Sequence, residues 1–157
     1  MKKRLISAVP RSDPDPTEPE WLPLTEIAEV EISSEADNHP IEAALEIDGE
    51  MGWRADEAGE QTIRLRFERA SAVKRVRVVF EERDRARTQQ FSLRAKEASG
   101  GWREIARQQF NFSPSGATRE VEDYQVNLAG VEVLELTIVP DISGGDARAS
   151  LQQFRVA

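Results

Sequence analysis

From Thr25 to the C-terminus, short runs of the chain alternate between apolar and polar positions. IAEVEIS has its apolar points at Ile27, Val30 and Ile32. TIRLRF puts Ile63, Leu65 and Phe67 on one face and Arg64 and Arg66 on the other, and VKRVRVVF sets Val76, Val78 and Phe80 against Arg75 and Arg77. QFSLRAK opposes Phe91, Leu93 and Ala95 to Ser92, Arg94 and Lys96. YQVNL, VLELTIV and the closing SLQQFRVA add Tyr124, Val126 and Leu128, then Leu134, Leu136 and Ile138, then Leu151, Phe154 and Val156. Successive side chains of a strand point to opposite faces, so each run predicts a strand with one buried side.

Between the runs lies turn chemistry: ASGG at 98–101, SPSG at 113–116, LAGV at 128–131 and ISGGD at 142–146. Only HPIEAALE and DEAGE have the composition for a helical turn. Strands this closely spaced leave no room for crossover helices. The pattern therefore predicts an all-β fold, an antiparallel β-sandwich of about eight strands. Its inward set is Ile63, Leu65, Phe67, Val76, Val78, Phe80, Phe91, Leu93, Leu134, Leu136, Ile138 and Phe154.

Upstream the pattern stops. Pro10, Pro14, Pro16, Pro19 and Pro23 fall among acidic residues, and proline fixes φ while removing a backbone donor. Residues 1–24 read as an extended, Pro-rich N-terminal tail and residues 25–157 as the β-sandwich domain. Trp21 and Leu22 are the residues that would anchor the end of the tail. The basic start MKKR is followed by only a short apolar run, Leu5–Val9, before Pro10, too short for a secretory signal. No stretch approaches the ~18 apolar residues of a membrane span, so a cytoplasmic protein without a membrane partner is expected.

Composition narrows the chemistry. A formal net charge of −8 argues against nucleic acid as a partner, because phosphate binding needs an excess of Lys and Arg. With no cysteine and with His39 as the only histidine, thiol nucleophiles, Cys-ligated zinc and multi-histidine metal sites are excluded. No nucleophile elbow accompanies His39, so no enzymatic activity is expected. Arg64, Arg66, Arg75, Arg77, Arg94 and Lys96 face outward on neighbouring strands, but Glu68, Glu81, Glu82, Glu97 and Glu104 are interspersed, which predicts cross-strand ion pairing.

Three loop segments carry chemistry suited to a ligand. EERDRARTQ places Arg83, Arg85 and Arg87 at every second position, on one side if extended, and a planar guanidinium suits hydroxyls or carboxylates. NFSPSG offers Asn111 with Phe112, and DNH offers Asp37, Asn38 and His39. Each has a plainer reading: arginine paired with Glu81 or Glu82, Phe112 in the core, His39 in a turn. The stretch LEIDGEMGWRAD, with Asp48–Gly49, Trp53 and Arg54, reads as a calcium loop, a sugar-binding surface or a core tryptophan on a bend. The candidate ligand-binding residues are thus Asn38, His39, Arg54, Arg85, Arg87, Asn111 and Phe112.

Taken in order, VEISSE, HPIEAALEIDGEMGWRA, GEQTIRLRFERASAVKRVRVVF, RTQQFSLRAKEASGGWREI and LELTIVPDISGGDARASLQQFRV resemble the discoidin, or coagulation factor V/VIII type C, domain of the galactose-binding-like fold. The chain also resembles small bacterial single-domain proteins labelled carbohydrate-binding. The resemblance implies a jelly-roll sandwich and a non-catalytic module that binds carbohydrate through loops at one end. The alternative is an intracellular protein-interaction or assembly domain with no small ligand. The resemblance further implies that Trp53 packs into the sandwich edge and that Trp102 is an edge or core residue. The family's calcium site would use Asp48, but there is no Thr in EMGW and Gln153 stands where a Glu is usual. Calcium prefers several anionic oxygens, so Asp48 is a weak metal candidate, Glu50 or Asp56 would have to compensate, and no cofactor is expected.

Overall fold

The structure, a computed structural model, describes residues 19–47, 49 and 51–157. Expectations for residues 1–18, for Asp48 and for Glu50 lie outside the described residues. The elements run α1 (Leu24–Ile27), β1 (Ala28–Ile32), α2 (Glu42–Leu45), β2 (Trp53–Ala58), β3 (Gln61–Glu81), β4 (Arg87–Glu97), β5 (Trp102–Phe112), β6 (Arg119–Val139), β7 (Arg148–Leu151) and β8 (Gln153–Val156). All strand pairings between them are antiparallel.

Two strands of 21 residues each, β3 and β6, form the spine. The first half of β3 lies between β1 and the second half of β6, which in turn pairs with β4, and β5 closes the edge: β1-β3-β6-β4-β5. The second half of β3 pairs with the first half of β6 and with β8. The two long strands thus leave one layer together and enter the other. A small sheet of β2 and β7 lies beside them.

The joined strands correct the expected breaks. TIRLRF and VKRVRVVF are one strand, as are YQVNL and VLELTIV. The register slips between Arg66 and Arg75, opposite residues 125–133, so the chain bends through bulges instead of turning. The segment ERASA at 68–72 has no Gly or Pro to stop the ladder, and Gly130 of LAGV does not have a positive φ. DEAGE is corrected too: Asp56, Glu57 and Ala58 finish β2, and Gly59 turns at φ 90°. HPIEAALE holds α2, as the pattern allowed.

All twelve residues of the inward set are buried, Phe67 at 8% exposure being the least covered. Phe80 on β3 meets Phe91 on β4 with ring centroids 5.2 Å apart, which marks where the two layers face each other. Leu24 of α1 belongs to the same core, and Leu22 packs against it. The Leu22 amide donates to the Val156 carbonyl at 2.7 Å, and Arg77 lies 4.9 Å over the Trp21 ring. Arg155 ties the short α2 to β8, donating from Nη1 to Ala44 O at 3.3 Å and from Nη2 to Ile47 O at 2.9 Å.

The outward arginines are paired across strands. Glu135 takes Arg64 at 2.7 Å and Arg94 at 2.6 Å, Glu31 takes Arg64 and Arg66 at 3.0 Å, and Asp123 takes Arg75 at 2.8 Å and Arg77 at 2.7 Å. The basic face is therefore internally compensated, through Glu31, Asp123 and Glu135 more than through the acids that the sequence singled out. Trp102 is not a core residue. It opens the edge strand β5, is 42% exposed, and Arg94 lies 4.0 Å over its ring.

Candidate functional site

Trp53 begins β2 with its ring in the core at 1% exposure, and its indole N–H donates to the Ser34 carbonyl at 3.0 Å. That leaves no ring face for a sugar, so the core reading holds and the platform reading falls. Gly52 precedes it at φ 72°, where an L side chain is strained, and a Cβ there would come within 2.8 Å of the Leu151 carbonyl. Gly49, the second residue of the Asp-Gly pair, donates its amide to Glu46 O at 3.0 Å. Fixing Trp53 inward turns its neighbour Arg54 outward, because adjacent strand residues point to opposite sides.

Arg54 is held beside His39. The Arg54 amide donates to the His39 carbonyl at 3.3 Å, and the Ala36 amide to the Arg54 carbonyl at 2.8 Å. The His39 amide in turn donates to Ala36 O at 3.0 Å, so His39 closes a turn, as its plainer reading had it. From the other side comes the end of β3 and the loop after it. Together they line a cleft of about 230 Å³ that contains His39, Arg54 and Arg83, the acids Glu81, Glu82 and Asp84, and Met51, Ser150 and Gln152, with the buried Trp53 at its base.

The cleft is electrostatically mixed. Arg83 is 3.7 Å from Glu81, a loose pair, and its side chain is 74% exposed. Glu82 is fixed more firmly. Burial opposes its ionisation, yet the hydrogen bond from Arg87, the Asp84 amide and the charges of Arg87 and Arg54 together hold its carboxyl below the usual range. The Asp84 amide donates to Glu82 Oε2 at 3.1 Å, and Ser150 Oγ donates to the Glu81 carbonyl at 3.3 Å. Cations and anions thus alternate around a small opening.

The remaining candidates do not join this cleft. The loop between β3 and β4 is not extended, so Arg83, Arg85 and Arg87 do not share a side. Arg85 pairs with Asp146 at 3.0 Å. The Arg87 side chain is fully buried, donating to Glu82 at 2.8 Å, to Gln89 at 3.1 Å and to the Pro140 carbonyl at 2.7 Å. Phe112 is 2% exposed beneath that guanidinium, 4.8 Å from it, which corrects its reading as an aromatic contact for sugar. Asn111 is exposed and accepts from Thr88 Oγ1 at 2.6 Å. Asn38 is exposed in the turn before His39 and lines no described cleft. Sequence reasoning missed Ser150, Gln152 and the acids as lining residues. In EERD the acids were read only as ion-pair partners of the arginines, although the meeting of both signs at a strand end was visible in it. Among the described residues no group of three or more His, Asp or Glu is placed to hold a metal.

No family model matches the chain, and no curated protein does. Solved structures do. The family 32 carbohydrate-binding module of NanJ from C. perfringens, solved with galactose, superimposes with a TM-score of 0.63 at 16% identity, over 87% of this chain and 96% of that one. The corresponding module of AlyQ, with 4,5-unsaturated mannuronic acid, gives a TM-score of 0.59 at 21% identity over 83% and 95%. A third, CpGH89CBM32-4 of C. perfringens with GlcNAc-α-1,4-galactose, gives 0.60 at 16% over 88% and 95%. The fold is that of the galactose-binding-like, discoidin-like β-sandwich. Within that class its structural neighbours are family 32 carbohydrate-binding modules.

Proposed function

We propose that this chain is a non-catalytic carbohydrate-binding module and that the cleft of His39, Arg54 and Arg83 receives the sugar. The observation that carries this reading is the meeting of the His39 imidazole and two guanidinium groups, Arg54 and Arg83, with Glu81, Glu82 and Asp84 around one opening of about 230 Å³. A sugar hydroxyl both donates and accepts, so it fits between a guanidinium and a carboxylate and satisfies both. The neighbours that share the fold were solved with galactose, an unsaturated mannuronic acid and a galactose disaccharide, which supports a small saccharide as the ligand class. With Trp53 turned inward, no aromatic face is offered, so binding rests on hydrogen bonds and its affinity is modest. No acid-base pair or nucleophile is needed, since binding alone is the function.

A glycan array followed by isothermal titration calorimetry tests the reading. Binding of a saccharide in the millimolar range or tighter is expected, with Arg54→Ala and Arg83→Ala each abolishing it while the melting temperature stays put. Failure of every saccharide on the array to bind refutes it, as does binding that neither substitution weakens.

A further inference from the structure

We propose that the carbohydrate site continues past Arg85 into a second cleft, and that the ligand is a neutral oligosaccharide lying across both. This rests on the reading of the first cleft. The second, of about 360 Å³, is lined by Ala86, Arg87, Thr88, Asn111, Asp141 and Ser143, with Phe112 beneath. The two openings draw lining residues from the same β3–β4 loop. Asp84 lines the first and Ala86 the second, two Cα steps apart and so at most ~7.6 Å, no longer than a disaccharide. Glu82, in the first, holds Arg87, in the second, at 2.8 Å.

The chemistry of the second cleft selects neutral hydroxyls. The charge of Arg87 is compensated by Glu82, and its Nε and Nη1 are engaged. Its Nη2 is buried in the interior without a hydrogen-bond partner and the side chain is closed to solvent, so ligand contacts in this cleft fall to Asn111 and Asp141. Thr88 donates to Asn111 Oδ1 at 2.6 Å, which leaves the Asn111 amide N–H groups to donate outward. Asp141 accepts from the Ser143 amide at 3.0 Å through one carboxylate oxygen and keeps the other for a ligand hydroxyl. Among the described residues that line this cleft the cation is Arg87, already paired with Glu82, so an anionic sugar would meet Asp141 without compensation.

Titration of the full chain with galactose, N-acetylglucosamine and mannuronate, each as monomer and as oligomers of two to four residues, is the test. A neutral series is expected to tighten by about tenfold from monomer to trimer, as one or two added hydrogen bonds supply. Asn111→Ala should remove that gain and leave the monomer affinity and the melting temperature unchanged. Affinity that is flat with chain length overturns the extension while leaving the first cleft standing. So does loss of monomer and oligomer binding alike in Asn111→Ala. A gain confined to mannuronate oligomers overturns the neutral ligand. Absence of binding in all three series removes the first cleft and the extension with it.

Discussion

Replacing Glu120 by Gln should make the protein more stable at neutral pH and flatten its pH dependence. Glu120 lies on β6 at 1% exposure, with Oε1 accepting from Gln89 at 3.2 Å and Oε2 without a partner. Burial, then the neighbouring carboxylate of Glu122, push its pKa up to about 8, against the smaller opposing pull of the Gln89 amide and the Arg87 charge. In the unfolded chain the same carboxyl titrates near 4.5. Below that value both states hold the proton and ionisation is neutral to stability. Between the two values the folded protein keeps a proton that the unfolded chain gives up, so stability falls as pH rises, and above the folded pKa the loss levels off. The slope is at most about 1.4 kcal/mol per pH unit, so from pH 5 to 7 roughly 2–3 kcal/mol is lost. In a domain of this size that is roughly 4–12 °C in Tm. Glutamine keeps the acceptor for Gln89 and turns an N–H toward Glu122. Urea unfolding at pH 5, 6, 7 and 8, followed by tryptophan fluorescence, should show the parent losing stability across the series while Glu120→Gln holds level, the two meeting near pH 5. Parallel curves over that range, or a variant less stable than the parent at pH 8, would refute the reasoning.

Leu136 is fully buried at the centre of the spine, so Leu136→Ala should cost about 2–5 kcal/mol and lower Tm by several degrees in calorimetry. Glu135 sits between Arg64 and Arg94; burial opposes its ionisation, but the bonds from those arginines hold its pKa below the usual value. Its contribution is present above the ordinary carboxylate range and lost as pH falls through its folded pKa, so Glu135→Ala should cost about 1–3 kcal/mol at pH 7 and less near pH 3 by denaturant unfolding. Trp102→Ala, at the open edge, should change stability by less than about 1 kcal/mol and leave sugar binding intact. Melting temperatures in EDTA and in millimolar calcium should agree; a rise of several degrees with calcium, abolished by Asp48→Ala, would show that a tight metal site exists at that loop.

The inward faces of the strands were legible because period-two burial writes itself into residue order, and Leu65, Val78 and Leu136 all obey it. Strand continuity was not. A bulge uses the same residues as a gap, so LAGV looked like a break, and TIRLRF and VKRVRVVF like separate strands, although β3 and β6 run through them. At the site, His39 and Arg54 were visible by type, and the structure brings them together with Arg83. Arg87 and Phe112 were misjudged for one reason: a cation beside an aromatic looks like ligand chemistry in a loop, but here each covers the other in the interior. Nothing local in the sequence distinguishes those two arrangements, since the difference lies in Glu82, Gln89 and the Pro140 carbonyl arriving from elsewhere in the chain.

The shared spine has a mechanical consequence. Because β3 and β6 remain paired as they cross from one layer to the other, neither layer can separate without tearing the ladder that also holds its opposite number. Local opening is therefore confined to the outlying elements, β1, β5, β8 and the β2–β7 pair, and amide exchange along the paired spine should proceed only through one global event. The same pairing joins positions as distant as Gln61 and Ile138. Such long loop closures are entropically costly, which places this chain among the slow folders, with its exposed strands at greatest risk of association during that delay.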